Sequence, residues 1–473
     1  MTRDEIKKMM EDDPEALCDL VLELQEKVNK LENQTAKDSH NSSKPPSTDG
    51  FKKVPRTRSQ RKKSANKSGG QKGHSGATLK KVDKPDRVIE HPVKGSCSCG
   101  KELDDVSSIE YQSRQVFDIP PLNIEVTEHR AEVKHCNCGR KHVAAFPEGV
   151  NAPVQYGQRI KSFVTYLMTY QHIPYERTTE LIHDVFNNYQ ISQGTLYNIQ
   201  SACYNGLEDE AQAIKEQLIN SDVVCFDETG SSVNKDKHWI HSAGTEDFTY
   251  YAIHKNRGHQ AMDDIGILPE FKGTAIHDFW SSYLKYECNH GLCNAHHLRN
   301  LTYIHEQYDQ SWAQEMVNLL LKIKNEVDEQ ELIYPQLDEK MIQEFEEKYR
   351  QILDLGYQEN PPPDKKPEKP KRGRPKRSEP IRLLDRFRDY RKEILAFMYD
   401  FNIPFDNNLA ERDMRMMKLH QKISGQFKSL FAGEMFCRIR SYISSAKKQN
   451  LNVMDSLNNV FLGIPLFKRT NMT

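Results

Sequence analysis

The sequence predicts an α/β protein in which a mixed sheet is embedded among helices. Between residues 221 and 294, apolar side chains come in short β-rich runs. VVCF at 223–226 and TAIH at 274–277 are the clearest, with others at 238–243, 248–254 and 291–293. A helical stretch at 259–267 falls among them, so strand and helix alternate as in an α/β core. On both sides, at 157–205 and from about 295 onward, the apolar period becomes helical.

Residues 1–35 read as an N-terminal helix or short coiled coil. Leu17, Val21, Leu24, Val28 and Leu31 alternate steps of four and three, with Leu at d and Val at a, which favours two strands. A plain amphipathic helix carries the same pattern at this length. Residues 36–82 have few large apolar side chains and much Ser, Lys, Pro and Gly, the composition of a disordered basic linker. Twelve Lys or Arg face one acid between Lys44 and Lys81, and eight face one between Lys365 and Arg377. The net charge of -1 conceals these blocks, which point to polyanion contacts by particular segments.

Residues 83–150 contain Cys97/Cys99 and Cys136/Cys138, each pair followed by Gly, with strand-like sequence between them at 119–133. Two thiol pairs of this kind have the form of the knuckles of a structural zinc site. The spacing is C-x-C rather than C-x₂-C. His135 and His142 stand near enough to replace one thiolate, and free thiols are the alternative. Residues 151–220 form a helical region, with helices expected at 157–170, 175–186 and 193–203, the last capped by Ser192. The last two fit either a helix-turn-helix or an ordinary packing unit.

Residues 295–400 are again helical, with amphipathic stretches at 312–327, 338–353 and 381–399 around a basic Pro-rich segment. Within that segment, Arg372-Gly373-Arg374-Pro375 looks like an AT-hook whose Arg372 and Arg374 enter a narrow minor groove. A solvated Lys/Pro linker is the alternative. Residues 401–473 hold one helix headed by Glu411 and two further helical patterns.

Composition excludes a membrane protein: 37% hydrophobic against 29% charged residues, and no apolar run near the ~18–20 residues of a spanning helix. The acidic first thirty residues lack a signal-peptide core, so the ten cysteines are expected as thiols or metal ligands in a reducing cytosol.

The clearest strand runs end on carboxylates, Asp227 and Asp278, and a third, Glu411, opens a helix. Buried strands deliver side chains to one spot with little play. Three carboxylates within a few ångströms repel by roughly 1–4 kcal/mol per pair at effective dielectric constants of about 20–80. Divalent cations neutralise such a cluster, and oxygen donors suit Mg²⁺ or Mn²⁺. A strand-end Asp is also commonly a cap or turn residue.

Ordered motifs along nearly the whole chain resemble the insertion-sequence-66 family of DDE transposases. They are NSSKPPSTD at 41–49, GGQKGHSG at 69–76, the paired CxCG knuckles, YQHIPYERTTELI at 170–182 and CFDETG at 225–230. HDFWSSY at 277–283, LCNAHHLRNL at 292–301, RGRPKRS at 372–378 and PFDNNLAERDMRMMKLHQKISGQF at 404–427 follow. The resemblance implies a ribonuclease-H-like catalytic core at 221–294 and 401–473, split by a helical insertion at 295–400. It implies Asp227, Asp278 and Glu411 as the catalytic acids holding Mg²⁺ or Mn²⁺. Cys293-x-x-His296 looks like a signature found after the second Asp in related transposases, and a buried structural pair is the alternative. Arg415, Lys418 and Lys422 recur at helical steps after Glu411, one face for DNA phosphates.

The implied function is that of a bacterial, nucleoid-associated cytoplasmic transposase. It would cut the ends of its element and join the freed 3′-hydroxyls to target DNA, as a homo-oligomer and with accessory proteins of the element. A DNA-binding relative without catalysis, and a magnesium-dependent nuclease that cuts without joining, are the alternatives.

Overall fold

The computed structural model describes residues 3–42, 78–361 and 377–467. Arg372 and Arg374, and most of the basic linker expected at 36–82, lie outside the described residues.

Helices α1 (Arg3–Asp12) and α2 (Pro14–Ala36) open the chain, and the Asp13 carboxylate caps α2 by accepting from Ala16 N at 3.0 Å. Val21, Leu24 and Val28 stand about half exposed along α2. Residues 37–42 were expected to begin the linker, yet Lys37 pairs with Glu379 at 2.8 Å, His40 meets Glu306, and Asn41 and Ser42 are buried.

The Cys-rich module forms less strand than its sequence promises. Only β1 (Val133–His135) and β2 (Lys141–Val143) form a ladder there, a short antiparallel hairpin. Residues 119–132 form no strand, and Val126 stays 85% exposed. β-propensity without a cross-strand partner gives no sheet.

Helix α3 (Gln158–Thr165) runs into a π-helical turn at Tyr166–Tyr170. Helices α4 (Tyr175–Val185) and α5 (Gln193–Gly206) follow, with Ser192 capping α5 through Thr195 N at 3.1 Å. Helix α6 (Glu208–Ile219), within the expected helical region but not singled out there, then leads into the sheet.

The sheet comprises β3 (Val223–Val233), β4 (Asp236–Gly244), β5 (Thr249–His254), β6 (Thr274–His277) and β7 (Asn289–Leu292), in the spatial order β5-β4-β3-β6-β7. β3, β4 and β5 are antiparallel neighbours, whereas β6 and β7 run parallel to β3. Asn234 and Lys235 both take left-handed φ (47° and 71°), the tight two-residue turn that suits a hairpin. Helix α7 (His259–Ile265) makes part of the crossover to β6.

Between the sheet and its last helices lies a helical insertion. It comprises α8 (Asn294–Tyr308), α9 (Ser311–Gln330), α10 (Glu339–Glu359), α11 (Glu379–Asp389), α12 (Arg391–Ile394) and α13 (Ala396–Tyr399). The single helix expected over 381–399 is thus three, broken at Tyr390 and Leu395, where the backbone leaves helical geometry. The insertion has its own core around Trp312, Tyr349, Phe387 and Phe397.

Helices α14 (Asn408–Ser424), α15 (Leu430–Lys448) and α16 (Val453–Leu462) complete the fold. Alternation along β3 assigns its two faces. Cys225 packs with Ala410 of α14, and Val233 with Met414 and Met417, while Val224 and Phe226 face the opposite core with α6 and α15.

β6 lies tight against the loop before β3. A Cβ at Gly273 would fall 2.4 Å from Asp222 O and 2.6 Å from Ser221 O, both backbone atoms. Gly273→Ala is therefore expected to lower stability by about 1–3 kcal/mol, read as a lower urea midpoint at unchanged m-value.

Candidate active site

The parallel pairing sets the geometry. Cys225 lies opposite Ile276, so two residues further along, on the same face, Asp227 comes level with Asp278. β6 ends at His277, while β3 continues beside β4 with Asp227 opposite Ser242. The sequence reading ended β3 at Asp227. The strand instead runs on to Val233, because β4 pairs its polar half. Asp227 therefore sits where the central strand loses one neighbour and keeps the other. Crevices at the carboxyl ends of parallel strands are the usual ligand positions in such sheets.

The third acid arrives from α14. Ala410 packs on Cys225 and Ile276, which sets Glu411 beside the strand ends. Asn407, the 2% exposed N-cap residue, locks this placement: its Nδ2 donates to Phe226 O at 2.7 Å and its backbone N–H to Cys293 Sγ at 3.2 Å. Burial first, then the charges of Glu228, Asp278 and Glu411, push the Asp227 carboxyl up to about 8. Burial also raises Glu411, opposed by Arg299, whose Nη2 stands 3.9 Å from Oε1. The three acids thus feel one another across one crevice.

Cys293 and His296 join them. Cys293, His296 and Glu411 are the one set of three or more candidate ligand groups, among the described residues, gathered within 4.8 Å. Burial pushes the Cys293 thiol up to about 12 and the His296 imidazole down to about 4, so both are neutral near pH 7. Cys293 acts as an acceptor for the α14 cap. His296 Nδ1 is buried without a partner.

Several residues here carried no sequence signal. Glu228, on the reverse face of β3, accepts from Tyr283 OH at 2.5 Å and from Arg257 Nε at 2.8 Å. The Arg257 guanidinium stacks 3.7 Å from the Trp280 ring centre and 5.0 Å from that of Trp239. Asp278 accepts from Trp280 N at 3.1 Å, and Phe279 between them takes φ 67°. On α14, Arg415, Lys418 and Lys422 are exposed along the face headed by Glu411, and the charge of Asp227 reaches Lys418.

The two Cys knuckles are built alike. In each, the first Cys N–H donates to the residue four later (Cys97 to Lys101 O at 2.9 Å, Cys136 to Arg140 O at 2.8 Å), and the following Gly has φ 85°. Hydrogen bonds from Cys99 and Cys138 lower the pKa of Cys97 and Cys136, favouring thiolate, the ligand form for a soft cation. The two knuckles do not bring all four sulfurs into one group within 4.8 Å.

Fold and site together define an α/β protein with acids near the ends of adjacent sheet strands, a basic helix face beside them, and a Cys-rich module ahead. The profile of the Transposase IS66 family matches residues 153–435, and the chain belongs to that family. A zinc-finger binding domain of transposase IS66 matches residues 94–139, spanning all four knuckle cysteines, and a family of unknown function matches residues 3–80. No curated protein matches the chain.

The Asn407 clamp is open to measurement. Asn407→Ala leaves Phe226 O without its donor and is expected to cost about 1–3 kcal/mol in guanidinium unfolding.

Proposed function

We propose that this family member is an active DDE transposase whose mixed sheet is a ribonuclease-H-like core. The strand order β5-β4-β3-β6-β7, with three antiparallel and two parallel members, supports that reading of the fold. The observation that carries the function is the alignment of Asp227 and Asp278 on one face of adjacent strands, with Glu411 of a clamped helix near enough for its charge to act on Asp227, although the three carboxylates are not drawn within 4.8 Å of one another.

The donor set is all oxygen, and burial together with the neighbouring acids holds Asp227 well above an ordinary carboxylate, so a hard divalent cation suits it. Asp227, Asp278 and Glu411 would hold Mg²⁺ or Mn²⁺. Bound there, the ions supply activation of the attacking oxygen and stabilisation of the leaving one in an in-line displacement. The first step adds water across a phosphodiester at each element end, leaving a 3′-hydroxyl and a 5′-phosphate. In the second, that hydroxyl displaces a 3′-oxygen of the target strand, so one phosphodiester replaces another.

The chain's own residues do the rest. Arg415, Lys418 and Lys422 present one cationic face to the backbone of DNA entering beside Glu411. Cys97, Cys99, Cys136 and Cys138 hold a structural Zn²⁺ that fixes a DNA-binding module. Arg372 and Arg374 reach the minor groove, α4 and α5 form a second DNA contact, and Cys293 and His296 brace the insertion against the α14 cap. The exposed Val21, Leu24 and Val28 stripe pairs with a second copy, giving the homo-oligomer that two element ends require. With DNA as substrate, and no described helix long and apolar enough to cross a membrane, the site of action is the bacterial cytoplasm.

Asp227→Asn is expected to abolish Mg²⁺-dependent cleavage of a duplex bearing the element's ends, with DNA affinity in gel shift unchanged. Retained cleavage overturns the assignment, and wild-type protein that cuts but does not join pre-cut ends is a nuclease. For the zinc module, Cys136→Ser is expected to remove the zinc found by atomic absorption in the purified wild type and to weaken end binding. A wild type without zinc refutes that role.

A further inference from the structure

We propose that Arg386, delivered by the helical insertion, is a phosphate-binding residue of the acid site that takes a non-bridging oxygen of the DNA strand held beside Asp278. The assignment rests on the transposase reading above and adds to it a function for the insertion.

Helix α11 carries three arginines along its length, and their surroundings differ. Arg382 pairs with Glu379, and Arg388 with Asp385 and Asp389. Arg386 has no hydrogen bond or ion pair to its guanidinium among the described residues, and its Nε is sealed from solvent without an acceptor. Carboxylates one turn away were available and went to its neighbours. A part-buried cation left unpaired is costly, by several kcal/mol in a dry interior, so the vacant acceptor position is the informative feature.

What holds Arg386 is a ring. Its guanidinium lies 4.3 Å from the centre of Phe279, the residue that follows Asp278. Phe279 takes φ 67°, a conformation that costs a bulky residue of order 1–3 kcal/mol. That turn puts the ring edge-on to Tyr390 at 4.8 Å and beneath Arg386. Asp278 and Arg386 are thus linked through one side chain, and the Asp278 charge acts on the guanidinium. Leu383, Leu384 and Phe387 bury the rest of α11 in the insertion core, and His297 of α8 packs edge-on to Phe387 at 5.2 Å. The group is therefore held rigidly.

A guanidinium offers two parallel N–H donors matched to the oxygens of a phosphate. The carboxylates of the crevice cannot accept DNA phosphate without opposing charge. Divalent cations would offset the acids, and Arg386 would offset the phosphate itself. Arg299, 3.9 Å from Glu411, is already committed to a carboxylate; Arg386 is not.

The test uses the full chain, a labelled duplex carrying the element's own end, and single-turnover cleavage at saturating DNA. Arg386→Met keeps a flexible apolar side chain beside Phe279 and removes the guanidinium with its charge. Its cleavage rate is expected to fall about 10²–10³-fold, the usual loss when one such donor goes. The melting temperature and Mn²⁺ binding by electron paramagnetic resonance should stay as in wild type, gel-shift affinity should fall by no more than about tenfold, the loss of one phosphate contact, and Arg386→Lys should recover part of the rate. Wild-type cleavage by Arg386→Met overturns the proposal. So does an equal loss in the Met and Lys variants accompanied by lower melting temperature or lost Mn²⁺, which makes the residue a strut. If wild type itself does not cleave, the catalytic reading fails and this assignment falls with it; if only the Arg386 variants behave like wild type, the catalytic reading stands.

Discussion

The molecule depends on one register. β3 and β6 pair in parallel with Cys225 against Ile276, and only that alignment turns Asp227 and Asp278 to the same face. A slip of one residue on either strand would send its acid into the opposite core, because side chains alternate with a period of two. The register is well determined by burial. Cys225 and Ile276 are packed under Ala410, while Val224 and Ala275 are fully buried on the reverse face. Helix α14 is placed by the same pair and then fastened by Asn407 to the carbonyl of Phe226. One packing contact and one hydrogen bond thus bring Glu411 to the face on which the strand register aligns Asp227 and Asp278.

Collecting these acids carries an electrostatic cost, and the surroundings are arranged to carry it. Glu228 would be a fourth charge in the crevice, but it faces the other way into Arg257 and Tyr283, and Arg257 is itself held between two indoles. That arrangement satisfies a buried carboxylate, which would otherwise be among the most costly groups in the fold. On the α14 side, Arg299 meets Glu411 and Lys418 feels Asp227. The carboxylates on the crevice face are left with less compensation than Glu228.

Local signals made part of this legible. Apolar runs gave the strands at 223–226 and 274–277, Ser192 gave the start of α5, and the spaced thiols marked both knuckles, later matched as a zinc-finger domain. The resemblance of ordered motifs agreed with the family match over 153–435. Other features depend on distant partners and left no trace. The polar half of β3, ETGSSV, reads as loop until β4 is known to pair with it. Val126 and its neighbours read as strand, yet find no partner among the described residues. Arg257, Arg299 and Arg386 are three among 67 basic residues until tertiary structure sets each against its own neighbour. Lys37 to Ser42 resemble linker by composition, and Tyr303, Glu306 and Glu379, hundreds of residues later, help to hold them.

The insertion raises a mechanical question: how more than a hundred residues can interrupt a core without disturbing the acid that follows. Asn294, 1% exposed at the start of α8, answers it. Its N–H donates to Phe405 O at 3.1 Å and its Nδ2 to Ile394 O at 2.9 Å, so the chain entering the insertion is bonded to the chain leaving it. Closing a loop costs free energy that grows only with the logarithm of its length. Once the two ends are pinned, added residues can build their own core around Trp312 and Phe387 at little further expense to the site. The pinned ends lie directly beside Cys293 and Asn407, the pair that fixes Glu411. The insertion is therefore coupled to the acids at its root. Its first and later helices bring His296 and Arg299 beside Glu411, and Arg386 within reach of the Asp278 charge.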